Sequence, residues 1–373
     1  MVESRSEAPL DMVQMMVNMG PQHPSTHGVF RMVLGIDGER VVSVDPHIGY
    51  LHRGSEKLCE GELYTQIVTL FDRMDYLSNF NNELAFCMAV EKLMALQVPE
   101  RAEYIRVIMC ELNRIASHLM FFGTMGLDTG AITPVLYAFR DRERVQSLFE
   151  AVSGARMMHN YIRVGGVKED LPEDFRQRMA KLMPQLKQGI EEGDRLLSFS
   201  EIFLARNKGI GVIDGKTAIS YGMSGPALRA SGVPMDVRKD EPYSVYNRFD
   251  FGIPIGEKGD CWDRYYVRIE EMRQSLRIVE QAMAQMPDGP ISTPVRGVLR
   301  PPRGEAYARA ENPRGEIGVY LVSDGSDKPY RVKVRPPSFC NLVALKYLLR
   351  DCYVADCVVI LGSLDVVLGE VDR

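Results

Sequence analysis

The chain has 373 residues, 45% hydrophobic and 25% charged, with 45 Lys+Arg against 50 Asp+Glu and a formal net charge of −5. That length can bury a substantial core in two domains or one many-layered domain, and the mildly acidic balance without a basic run argues against nucleic acid as a partner. Seven cysteines, at 59, 87, 110, 261, 340, 352 and 357 with no CxxC, argue against a disulfide framework and against a thiolate zinc or iron–sulfur site within this chain. The first residues lack the uninterrupted apolar stretch of a secretory signal. Ile115 to Leu127, the longest uncharged apolar-rich run near the middle, is too short to span a bilayer and contains His118. The expectation is a reduced, cytoplasmic-side protein that meets a membrane only through partners.

In chain order, Gly20 to Gly28 reads GPQHPSTHG, a proline- and glycine-marked turn carrying His23 and His27. Val29 to Gly35 and Val41 to Val44 flank Asp37-Gly38, a hairpin signal. From about Glu60 the periodicity becomes helical, with helices predicted over Glu83 to Leu96, onward from Pro99, from Thr133-Pro134 to about Arg156, and from Glu173 to Ser200 with a break near Pro184. Residues 206–260 are rich in Gly and Pro. A strong helix is predicted over Trp262 to Met286, a linker over Pro287 to Gly304, and a hairpin of Gly315–Ser323 with Pro329–Arg335. A short helix at Asn341 to Leu349 precedes an apolar run, Cys357 to Leu368, that reads by itself as a buried strand with a polar tail. The fold class expected is α+β: an N-terminal β-hairpin section (1–58), a central helical bundle (59–205) and a mixed α/β part (206–373).

Three stretches bear on chemistry. GIGVIDGKT at 209–217 has Ile210 where a phosphate-binding loop needs glycine, and TAISYG after it does not read as a helix opening, so a glycine-rich turn is the better reading. The two turn histidines, four residues apart, suit either a metal or simple backbone hydrogen bonding, and no second ligand cluster follows. FDRMDYLSNFNN at 71–82 crowds polar groups into the start of an apolar helix. Its acids suit capping of free backbone N–H groups, whereas Tyr76 is a candidate proton donor that could act with a histidine on a carbonyl oxygen.

GPQHPSTHG, HRGSEKL, FDRMDYLSN, ELNRIASHL, GLDTGA, SGAR, YIRVGGV and the terminal GSLDVVLGEVDR together resemble the D-type subunit family of proton-translocating NADH–quinone oxidoreductases, the quinone-pocket subunits of respiratory complex I. The resemblance runs from residue 13 to 373. That family is similar in turn to the large subunit of nickel–iron hydrogenases, so a hydrogenase large-subunit-like fold is implied. Asp75 and Ser78 stand at one former CxxC spacing, and Val367 and Glu370, behind Asp365, at the other. With no thiolate at any of these positions, no metal is expected in this chain.

The resemblance implies that Tyr76 and His27 approach the carbonyls of a bound quinone, ubiquinone or menaquinone, and that Asp128 pairs with His27. A carboxylate there raises the imidazole's pKa and orients it as a donor. Val367 and Glu370 match pocket-lining positions. Arg53 matches an arginine beside an iron–sulfur cluster carried by a neighbouring subunit, and its other reading is a partner for Glu56 or a helix carboxylate. Met158 stands where the family often has a histidine next to that cluster, with His159 following. Implied partners are the terminal-cluster subunit, the homologue of the C-type subunit and the membrane-arm subunit at the quinone entrance. No flavin is expected here, and the implied location is peripheral, on the cytoplasmic face of the bacterial inner membrane. The competing readings are a true metal hydrogenase, a scaffold without catalytic residues, and the same site served by another electron donor such as ferredoxin. His23, His47, His52 and His118 are expected to be structural.

Overall fold

The computed structural model describes residues 15–23, 28–295 and 297–373, in a mixed arrangement of helix and sheet. Strands β1 (Met15–Met19), β2 (Arg31–Asp37) and β3 (Arg40–His47) form an antiparallel three-stranded sheet in the order β1-β2-β3. The β2–β3 hairpin turns at Asp37-Gly38 as its sequence predicts, with Gly38 at φ +58°. Alternate residues Met32, Leu34 and Val41 enter the core.

Short helices α1 (Ser55–Cys59) and α2 (Tyr64–Phe71) lead to α3 (Asn79–Met94), α4 (Glu100–Asp128) and α5 (Thr133–Ser153). Gly154 ends α5 in the left-handed region, a turn before the predicted end at Arg156. Two-residue strands β4 (Ile162–Arg163) and β5 (Gly166–Val167) precede α6 (Phe175–Gly193). Pro184 does not break α6, contrary to expectation: it is exposed, as is Ala180, so the carbonyl that Pro184 leaves unbonded faces water. The helix instead widens at Gly193 into a π-turn, Asp194–Ser198.

α7 (Glu201–Asn207) leads into the 206–260 region, which holds α8 (Gly215–Ser220), α9 (Gly225–Arg229) and α10 (Val237–Asp240). The expectation of no helix opening after GIGVID is corrected here, because the Asp214 carboxylate accepts from the N–H groups of Lys216 and Thr217 and caps α8. Then come α11 (Cys261–Gln285) and an antiparallel sheet of β6 (Gly304–Asn312), β7 (Gly315–Ser323) and β8 (Arg331–Arg335). The β7–β8 hairpin matches its prediction, whereas β6 has no counterpart among the predicted elements. Helices α12 (Pro337–Val343), α13 (Leu345–Leu348), α14 (Val354–Leu364) and α15 (Leu368–Asp372) finish the chain. The apolar run from Cys357 is therefore helical, not a strand. Packed against both α4 and α11, it is buried on nearly every side, which removes the amphipathic period that would have marked it.

Helix α4 is central and packs against α5, α11 and α14. A network of wholly buried charges ties it to the C-terminal half. Glu111 accepts from Tyr246 Oη (2.7 Å), Ser275 Oγ (2.6 Å) and Arg238 Nη1 (3.1 Å). Burial alone would raise its carboxyl, but Arg114 and Arg238 hold it down at about 2. Glu271 binds Arg229 (2.6 Å) and His118 (2.9 Å), and Arg114 donates to the Glu311 carbonyl (2.6 Å). Buried pairs of this kind contribute specificity of arrangement more than net stability. Here they fix the end of β6 against α4, which positions the site below.

Candidate active site

Residues 72–78 form a turn between α2 and α3 that asparagines lock in place. Asn79 Nδ2 donates to the Asp72 carbonyl (2.7 Å), Asn82 Nδ2 to that of Phe71 (3.1 Å), and Asn113 Nδ2, from α4, to that of Leu77 (3.0 Å). The polar NFNN run thus organises the turn that carries Tyr76. The acids are not helix N-caps, contrary to one expectation: Asp72 is the C-cap of α2, and Asp75 accepts from the Leu77 N–H within the turn (3.1 Å). On the other side, Gly369 of α15 lies so close that a Cβ there would stand 2.8 Å from the Met74 carbonyl oxygen and 3.6 Å from the Tyr76 ring. That approach explains the glycine in the terminal GEVDR.

Between these elements lies a cleft of about 500 Å³. Its walls are Tyr76 and Leu77 from the turn, Met120, Thr124, Leu127 and Asp128 along one face of α4, Arg314, and Asp365 to Val367. Of the expected site residues, Tyr76, Asp128, Asp365 and Val367 therefore meet around one space. His27 lies in segment 24–27, outside the described residues. The flanks of that segment are in place: His23 bridges Gly28, and Gly28 packs on Leu368, where an added Cβ would stand 3.2 Å from Leu368 Cδ1. Gly28 is thereby placed beside Leu368, the residue after Val367. Glu370 is buried behind the wall, accepting from the Ser338 N–H (3.0 Å). Arg53 is exposed and outside the cleft, and Glu56 pairs with Lys333 (3.0 Å).

The sequence reading missed Arg314. Its guanidinium is buried and donates to Asp75 Oδ2 (2.9 Å), Ser117 Oγ (3.0 Å), the Asp365 carbonyl (2.9 Å) and Asp365 Oδ1 (3.3 Å). One cation thus fastens the Tyr76 turn, α4 and the 365–367 segment together, and occupies the space between positions 75 and 365. The sequence signal available was a hairpin turn, Asn-Pro-Arg-Gly, between two glutamates. Asp365 caps α14 at φ +55° and faces a second buried cation, Arg268, at 3.7 Å. Arg268 also donates to the carbonyls of Ser363 and Leu364 at the end of α14.

Burial raises the Tyr76 phenol, so it stays an O–H donor at working pH. Burial also raises Asp75, with Arg314 opposing, and pushes Glu370 up to about 8, helped by the Asp75 charge. The site so combines apolar walls, a phenol, a partly buried carboxylate and a fixed cation. His118 is wholly buried against Glu271 (2.9 Å), outside the cleft, and His52 Nδ1 contacts the Asp372 carbonyl at 2.6 Å. Among the described residues no cluster of three His, Cys, Asp or Glu has metal-ligand geometry. Nor is any of their helices long and apolar enough to cross a membrane. A second cleft, of about 530 Å³, lies beside the stacked rings of Trp262 and Tyr266 (4.7 Å) and contains none of the expected site residues.

Residues 128–301 and 295–373 match the family described as "Respiratory-chain NADH dehydrogenase, 49 Kd subunit", which makes the chain a subunit of an oxidoreductase complex. A protein of Carboxydothermus hydrogenoformans named as the D-type subunit of NADH-quinone oxidoreductase is 52% identical over 356 residues, 95% of this chain and 98% of that protein. Proteins of the same name from Bacillus mycoides and Desulforamulus reducens are each 52% identical, over 360 and 359 residues, covering 96% of this chain and 98% of each relative. The chain belongs to the D-type subunit family of NADH-quinone oxidoreductase.

Proposed function

We propose that this chain forms the head-group end of a quinone pocket, with a neighbouring iron–sulfur subunit supplying electrons, and that it reduces quinone to quinol as the step driving proton translocation. The observation that carries the reading is the convergence of Tyr76, Asp128 and Val367 on one cleft of about 500 Å³. Its size is that of a small-molecule site. A quinone head is a flat apolar ring with two acceptor oxygens. Leu77, Met120, Leu127, Val366 and Val367 suit the ring, and the Tyr76 O–H suits one oxygen. His27, next in sequence to Gly28 and oriented by Asp128, would donate to the other.

Reduction takes two electrons from the neighbouring cluster and two protons, one by way of Tyr76 and one by way of His27. Arg314 holds the turn bearing Tyr76 at a fixed distance from Asp365 and Val367, while Arg53 is exposed where a cluster-carrying partner could meet it. Glu370 contributes from behind the wall through its charge state. The homologue of the C-type subunit and the membrane-arm subunit at the quinone entrance complete the proposed surroundings, on the cytoplasmic face of the membrane. Quinone type, ubiquinone or menaquinone, would be set by the tail-binding parts of the pocket.

In the assembled complex, Tyr76→Phe and His27→Ala are each expected to lower quinone reduction by about 10²-fold, the scale of a lost proton donor. Reduction of an artificial acceptor upstream should be unchanged. Quinone reduction surviving both substitutions would sink the mechanism.

A further inference from the structure

Away from the cleft, two acidic side chains share a wholly buried site that the mechanism above does not use. Asp72, the C-cap of α2, and Glu83, on α3, are both fully buried. Each uses one oxygen to hold the same stretch of backbone: Asp72 Oδ2 accepts from the Asn160 N–H (3.0 Å), and Glu83 Oε2 accepts from those of Tyr161 (2.9 Å) and Ile162 (2.6 Å). The remaining oxygens, Asp72 Oδ1 and Glu83 Oε1, are buried with no donor. The two side chains lie within hydrogen-bonding reach of each other. Two ionised carboxylates in that position would repel, and each would leave an unsatisfied buried acceptor.

We propose that Asp72 and Glu83 hold one shared proton, and that this protonated dyad is the clamp positioning the Met157–Ile162 segment. Asn160 is in the left-handed region at φ +46° and Met158 at φ +58°, a conformation tolerated by asparagine but strained for a longer side chain such as methionine. Three N–H···O bonds to the dyad hold the segment there. The role rests on the proposed function only for what the segment meets, the cluster-carrying neighbour. The neighbouring histidine offers no substitute for the proton. His159 stacks on Phe80 (4.2 Å), and burial lowers it to about 4, leaving it neutral.

The dyad's surroundings set the direction of its pH response. Burial raises both carboxyls, Glu83 most, while Arg73 and Arg163 draw Asp72 part of the way back toward ionisation. Tyr161 lies beside Glu83, as do the buried thiols of Cys87 on α3 and Cys110 on α4. Beyond Cys87, the Glu91–Arg106 pair (2.6 Å) is internally neutralised. A carboxyl raised in the folded state contributes stability that is complete at low pH and is lost as pH rises through its folded value. The clamp therefore loosens on the alkaline side.

Amide substitutions in the assembled complex test this. In Asp72→Asn or Glu83→Gln, an amide oxygen keeps the backbone bonds and the amide N–H replaces the shared proton. Each single variant should assemble at wild-type level and keep quinone reduction and thermal stability at higher pH than wild type. The double variant sets one amide N–H₂ against another, and its assembled complex should fall by about tenfold. The proposal is overturned if the double variant assembles as well as either single one, if both single variants fail to assemble, or if wild type and single variants lose thermal stability at the same pH. Assembly and thermal stability do not require quinone turnover, so a failure of the quinone assignment alone would leave these outcomes intact.

Discussion

Replacing Arg314 by Gln removes a buried cation that joins the Tyr76 turn to the 365–367 segment. Four hydrogen bonds of 2.9 to 3.3 Å are lost, three of them to Asp75 and Asp365. Truncating one partner of a buried charge pair costs about 3–5 kcal/mol, because the other charge stays behind. Asp75, already raised by burial even beside Arg314, would take up a proton and limit the loss toward the lower figure. A large part of the cost is thus the stranded carboxylate, so Asp75→Asn in the Arg314→Gln background should recover about 1–3 kcal/mol. Hydrogen exchange on the assembled complex, read over peptides covering 72–82 and 304–316, measures the local opening free energy for the wild type, both single variants and the double. Additivity within about 0.5 kcal/mol would refute the claim that Arg314 acts through Asp75.

Two further substitutions probe the same wall. Gly369→Ala places a Cβ 2.8 Å from the Met74 carbonyl, so α15 must shift from the Tyr76 turn. Quinone reduction should fall by about tenfold or more, as misplacement of a donor by a fraction of an ångström does, with upstream acceptor reduction intact. Glu370→Gln removes a carboxyl that burial and Asp75 push up to about 8. Such a group favours folding below its unfolded value and loses that contribution as pH rises toward 8. Thermal unfolding of the variant complex should accordingly be flatter with pH from 5 to 9, on the order of that window, and identical pH profiles would contradict the assignment.

How much of this could be read from the residues depends on the range of the forces involved. Local signals worked for Asp37-Gly38 and for the hairpin of Gly315–Ser323 with Pro329–Arg335, which act within a few residues; Thr133-Pro134 marks the start of α5, but Ile132 and not Thr133 is its N-cap, with no side-chain cap. Solvent position defeated the rule at Pro184, whose lost bond faces water. Cys357 to Leu368 misled because burial on nearly every side leaves no period to read. Within the site, Tyr76 stood out as a polar residue among apolar ones, but the grouping of Tyr76, Asp128, Asp365 and Val367 came from a family resemblance and not from spacing. Arg314 was invisible for a related reason. Its partners are 239 and 51 residues away in sequence, and no local pattern marks an arginine that serves a distant turn.

The central claim is that the cleft between Tyr76, Asp128 and Val367 holds the quinone head group. Irradiating the assembled complex with a quinone carrying a photoreactive group on its ring, followed by peptide mapping, tests it directly. The account predicts label on peptides containing Tyr76–Leu77, Met120–Asp128 or Val366–Val367, suppressed by excess quinone. Suppressible label confined to the second cleft, at Trp262 and Tyr266, would contradict it.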